Sequence, residues 1–333
     1  VGRGRVEPHL DQNALAMPAM PPRSELGQRL QRLRLTPDDL ARGAPVPHRL
    51  FDDGPALNRV CRPDAWDDPE WRTYLRALDI DPTLIHRKAF EWTQLVFGLE
   101  RLGMLGPDST VLGVGAGHER VLYYLANRSR LTVATDLYGG HFVDTPEQEA
   151  APDFLRDPGR YAPFPYREDR LVAMPADGLH LPFAEGSFDV VYSLSSIEHF
   201  GGPENAALAM QEKARVLKPG GVAVVATELV LEGPANEELF APDILDQYVL
   251  GASALVPIEE LDDEPPPREL FDDPVVIGES IDRNPHIVMG LGDTRWTSVV
   301  AFLRKPTATD LTRLAAADVA RRGAAKLRRA FDR

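Results

Sequence analysis

Gly113, Gly115 and Gly117 alternate within "TVLGVGAGHERVLYYLANR", between an apolar run and a helical pattern. A turn of this kind brings backbone N–H groups and a helix N-terminus up against a ligand. The dinucleotide fingerprint is G-x-G-x-x-G, and its last glycine is replaced here by His118 or Arg120, depending on register. Asp136 ends the next apolar run, at a distance from the turn that suits hydrogen bonding to a ribose diol. A third run ends in Ala176-Asp177-Gly178, where a carboxylate can accept from an adenine amino group. A fourth ends in "SLSSIEHF", which brings Ser195, Ser196, Glu198 and His199 to the same mouth. A neutral imidazole takes up a proton near pH 7, so His199 is the candidate base. Glu198 beside it is read as orienting it or binding an acceptor.

The elements around these residues follow from periodicity. Residues 1–23 read as a flexible leader interrupted by Pro18, Pro21 and Pro22, and residues 24–107 as a helical extension. Short helices are expected near 24–35 and 68–78. A stronger helix is expected over 84–104, with Leu84, Phe90, Leu95, Phe97 and Leu102 as its buried face. Gly103, Gly106 and Pro107 stop it. From Asp108 to about 305 short apolar strands alternate with helices, which implies a doubly wound, Rossmann-like α/β fold. Its sheet is mostly parallel, with helices on both faces. Residues 233–292 break the rhythm and read as an insertion folding over the sheet as a substrate lid. Residues 306–333 read as an amphipathic C-terminal helix.

Bulk properties narrow the function classes. The 333 residues include 37 Lys and Arg against 51 Asp and Glu, a formal net charge of -14. That balance argues against broad nucleic-acid binding, which needs clustered cations. Cys61 is the sole cysteine, so an intramolecular disulfide and a cysteine metal cluster are excluded. No apolar run is long enough to span a membrane, and a cytoplasmic protein is expected. Homo-oligomerisation is left open.

The series "VLGVGAG", "ATD", "ADGLHLPFAEGSFDVVYSLSSIEHF" and "ARVLKPGGVAVVATE" resembles the class I S-adenosylmethionine-dependent methyltransferases, with a type 11-like core over roughly residues 108–230. The resemblance implies that S-adenosylmethionine is the cofactor. Gly113, Gly115 and Gly117 would line its methionine part. Asp136 would meet the ribose and Asp177 with Gly178 the adenine, and Leu137, Ser193 and Ser195 would also contact the cofactor. The family usually carries an acid where Gly113 stands, and Glu119 or His118 is left to compensate.

The reaction expected is methylation of a hydroxyl on a small-molecule acceptor such as a sugar, glycan or natural product. N- or C-methylation and a non-catalytic cofactor-binding module are the alternatives. A nicotinamide-dependent oxidoreductase is disfavoured by the glycine spacing. His141, His286 and Glu228 are second-rank acceptor-side candidates, and no metal ligands are assigned.

Overall fold

The computed structural model describes residues 46–139, 150–276 and 283–307. The leader, the helix expected near 24–35, the C-terminal helix and His141 lie outside them.

Period-two alternation of apolar residues produces strands that pack on both faces. β1 (Thr110–Val114), β2 (Leu131–Asp136), β3 (Leu171–Pro175), β4 (Phe188–Leu194) and β5 (Leu217–Glu232) are parallel. β7 (Thr294–Arg304) runs antiparallel to β5, and β6 (Met289–Leu291) antiparallel to β7. The order across the sheet is β3-β2-β1-β4-β5-β7-β6. The strand order reverses between β1 and β4, which is where ligands bind in open α/β sheets.

Val111, Val190, Tyr192, Val222, Val224 and Phe302 join one core; Leu112, Val191, Ala223, Val225 and Ala301 join the other. The first core is closed by helices α1 (Pro69–Ala77), α2 (Arg87–Arg101) and α3 (Val121–Arg128), the second largely by α4 (Pro203–Val216). Each fully buried large apolar side chain contributes about 1.5–3 kcal/mol. Gly98 lets α2 lie directly on β7, since a Cβ there would stand 2.2 Å from the Phe302 ring.

α1 begins at Pro69, where Asp68 caps the Trp71 N–H at 2.7 Å. α2 begins at Arg87, with the His86 imidazole accepting from the Lys88 N–H. Leu84 therefore precedes the helix. It is 37% exposed and leaves the expected buried face, whereas Phe90, Leu95 and Phe97 are wholly buried.

The segment 233–292 does more than cover the sheet. Val275–Val276 and β6 extend the sheet edge, while Leu245 and Val249 pack into the core under α4. Glu259, itself buried, accepts backbone N–H groups from Leu50, Leu57 and Asn58. Asn58 in turn bonds the Glu259 carbonyl at 2.8 Å and the Phe302 N–H at 2.6 Å. Among the described residues no helix is long and apolar enough to cross a membrane.

Candidate active site

The turn after β1 is held by groups from three other strand ends. Gly115 sits at φ +65°, and a Cβ there would stand 2.6 Å from Ser196 Cβ, so only glycine fits. Ser196 Oγ donates to the Gly115 carbonyl at 2.8 Å, and Tyr138 Oη to the Gly117 carbonyl at 2.9 Å. Asp136 accepts the Gly117 N–H at 2.9 Å and the Leu137 N–H at 2.7 Å. Burial raises its carboxyl pKa, and these N–H groups oppose the rise. Leu137 beside it is 56% exposed, an apolar side chain with open space over it.

The tip of β3 closes in on the same turn. Asp177 accepts the Leu179 N–H at 2.9 Å, with its side chain about half exposed. A Cβ on Gly178 would meet Phe200 at 2.7 Å and Val114 at 3.0 Å, so the backbone itself forms that wall. The residues read as the cofactor cleft thus converge, with one exception. Ser193 is wholly buried inside β4, short of the strand tip, and does not line the mouth. Ser195, at the tip, takes φ +47° and donates to Glu91 at 2.9 Å.

Two carboxylates and two cations from α2 and β5 lie beneath. Glu91, wholly buried, accepts from Ser195, Ser298 and Lys88, the last at 2.8 Å. Burial alone would raise its pKa, but Lys88 and Arg87 override that and hold it below the ordinary value. Arg87 pairs with Glu228 within β5. The sequence reading did not single out Glu91, although its i+4 and i+3 spacing from Arg87 and Lys88 within an apolar helix was the available signal.

Glu198 and His199 diverge. Glu198 turns inward to accept from Thr227 Oγ1 at 3.0 Å, and its Oε1 is buried without a partner. Burial and the neighbouring Glu228 charge push its pKa up. Near it, Lys213 is wholly buried with no hydrogen-bond partner, its pKa pushed down to about 7 by burial against the pull of Glu198. His199 is oriented instead by Glu238 of the segment 233–292, with Nδ1 at 3.3 Å from Oε1. The expected Glu198–His199 pair is replaced because the turn Ile197–Phe200 sends adjacent side chains in different directions. His286 stacks on His86 at 4.1 Å and is buried away from this mouth.

The aromatic residues after β2 assemble on the turn. Tyr138 stacks on Phe154, Tyr161 lies 4.6 Å from His118, and Tyr166 meets Tyr123 edge-on. They form a small auxiliary core beside the cleft.

A glycine turn at the switch point, an acid on each of the two neighbouring strand tips and a histidine–carboxylate pair opposite define a nucleoside-binding Rossmann-like enzyme domain. Residues 112–225 match the family described as methyltransferase domain. Over 127 residues the chain is 33% identical to methyltransferase GfsG of Streptomyces halstedii, covering 38% of this chain and 40% of that protein. It is 34% identical over 93 residues to the 27-O-demethylrifamycin SV methyltransferase of Amycolatopsis mediterranei, covering 28% of this chain and 33% of that protein. The chain is also similar in structure, with TM-score 0.45 and 17% identity, to geranyl diphosphate C-methyltransferase from Streptomyces coelicolor, covering 86% of this chain and 99% of that one. The core is a class I S-adenosylmethionine-dependent methyltransferase domain, and S-adenosylmethionine is its cofactor. The two sequence relatives are matched over less than half of their lengths.

The residues present suit that cofactor. Glycine backbone forms the close-approach walls at 115 and 178, the acid Asp136 stands at the tip of β2 against the turn, and two buried polar atoms beside the turn, Glu119 Oε2 and Tyr192 Oη, have no hydrogen-bond partner.

Proposed function

We propose that this chain methylates a hydroxyl of a small-molecule acceptor, with His199 as the general base. The observation that carries this reading is the 3.3 Å contact between His199 Nδ1 and Glu238. A carboxylate beside Nδ1 favours the tautomer in which Nε2 is the proton acceptor. A hydroxyl is a poor nucleophile until its proton is drawn off, whereas a neutral amine needs no such help.

The cofactor supplies an electrophilic methyl group on a sulfonium. With the cofactor bound, His199 would take the acceptor's O–H proton as the oxygen receives the methyl group. Glu238 stabilises the resulting imidazolium. Asp136 and the glycine turn hold the nucleoside so that donor and acceptor stay in line. The formal charge of -14 disfavours a polyanionic acceptor, which leaves a sugar, glycan or natural product. Further support is a relative named for 27-O-demethylrifamycin SV.

The test is incubation of the purified protein with S-adenosylmethionine and a panel of hydroxylated and amine-bearing small molecules, read by mass spectrometry. Methylated hydroxyl products that fade in His199→Ala support the reading. Methylation of the amines alone would sink it in favour of N-methylation.

A further inference from the structure

We propose that Glu119 and Tyr192 together replace the acid missing at position 113 and receive the ammonium group of the cofactor's methionine end. This inference rests on the assignment of S-adenosylmethionine to the cleft.

Gly113 and Tyr192 are register partners on β1 and β4. A Cβ on Gly113 would stand 2.8 Å from the Tyr192 phenol carbon and hydroxyl, and 2.8 Å from Ala116 Cβ. The phenol therefore occupies the place from which a side chain at 113 would reach the ligand. Its hydroxyl is wholly buried and has no hydrogen-bond partner. Glu119, just before α3, is in the same state by half. Its Oε1 accepts from the Trp92 indole N–H at 3.3 Å, while its Oε2 is buried and unpartnered. Among the charges acting on Tyr192, that of Glu119 is the strongest.

Unsatisfied buried acceptors are rare in folded proteins and call for an explanation. Here a carboxyl oxygen and a phenol oxygen, from two elements beside the glycine turn, are buried without a hydrogen-bond partner. An ammonium group carries three N–H donors and a positive charge, and suits both. The nearest resident cation in effect, Lys88, is committed to Glu91 at 2.8 Å and the Leu194 carbonyl at 3.4 Å.

The groups facing Glu119 are Lys88, Glu91 and Trp92 from α2, Asp136 from β2, and Tyr138 and Tyr192 from the strand ends. Burial pushes its carboxyl up to about 8, against the pull of Lys88 and the Trp92 N–H, so the empty site holds a proton near neutrality. An arriving ammonium favours the carboxylate, and that proton leaves.

The test is calorimetry of the full chain near pH 7 in buffers of different ionisation enthalpy. The probes are S-adenosylhomocysteine and 5′-methylthioadenosine, which lacks the amino-acid end. Wild type should bind S-adenosylhomocysteine with release of up to about one proton. Glu119→Gln should weaken that binding about 10- to 100-fold and abolish the release. Tyr192→Phe should weaken it by a smaller factor, and both variants should bind 5′-methylthioadenosine as wild type does. Unchanged S-adenosylhomocysteine affinity in both variants would overturn the proposal. Equal losses for the two nucleosides would also overturn it, since Glu119 would then act through the shape of the turn. A wild type that binds neither nucleoside would remove the cofactor assignment and this inference with it.

Discussion

Gly113 on β1 and Tyr192 on β4 interlock: the phenol fills the volume that any side chain at 113 would need, with 2.8 Å left for a Cβ. A side chain at 113 and the Tyr192 phenol therefore exclude one another. Gly113→Asp should destabilise the fold by about 1–3 kcal/mol through overpacking, and pairing it with Tyr192→Ala should recover part of the loss. Thermal denaturation of wild type and these two variants checks this. A Gly113→Asp protein melting with wild type would mean that the phenol yields freely.

Asp136 serves the empty protein as well as the ligand. Its carboxylate holds the N–H groups of Gly117 and Leu137, so Asp136→Ala should cost about 1–3 kcal/mol of stability. It should also weaken S-adenosylhomocysteine binding about tenfold or more. Calorimetry and melting curves on one preparation separate the two effects, and unchanged affinity would remove Asp136 from the ribose.

Glu238 reaches His199 from a segment remote in sequence. Glu238→Gln should lower turnover while S-adenosylhomocysteine affinity stays put. His199→Ala should lower it further, by roughly 10²- to 10⁴-fold if the imidazole is the base. Equal turnover in Glu238→Gln and wild type would leave the imidazole without its orienting partner.

Burial raises the Glu119 carboxyl to about 8 from its ordinary 4.5. A carboxyl whose folded pKa is raised contributes stability that is fully present below its unfolded pKa and is lost as pH rises through the folded value. Glu198 is raised in the same direction. The ligand-free protein should therefore lose this contribution between about pH 4.5 and about pH 8. Lys213, lowered to about 7, acts oppositely: the cost of burying its charge is relieved as pH rises from there toward its ordinary 10.5. The difference in Tm between wild type and Glu119→Gln isolates the Glu119 part. That difference should change steadily across the carboxyl window, and a constant offset would mean an ordinary carboxyl at 119.

What was legible in the sequence was local. The turn at Gly115, the acid Asp136 and the pair Asp177-Gly178 each sit at a strand tip, and short apolar strands fix where such tips fall. The helix over 87–101 was legible from its 3.6-residue period, but its start was not. His86 caps it, which leaves Leu84 outside and exposed. Contacts across the fold were hidden. Glu91 meets Ser195 and Ser298 at separations of 104 and 207 residues, and no periodicity reports such a meeting. Adjacency misled in one case: Glu198 and His199 are neighbours in sequence, yet the turn after β4 gives them separate partners, Thr227 and Glu238.

The Glu259 carboxylate bears on where the protein can be divided. It lies 1% exposed and is supplied with N–H donors by Leu50, Leu57 and Asn58, all upstream of β1. A fragment beginning at residue 108 would keep the acid and discard every one of these donors. It would also strip α2 from Phe302 on β7. The catalytic core is therefore not a detachable module with an accessory in front of it. The residues before the glycine turn are a structural partner of the stretch after β5.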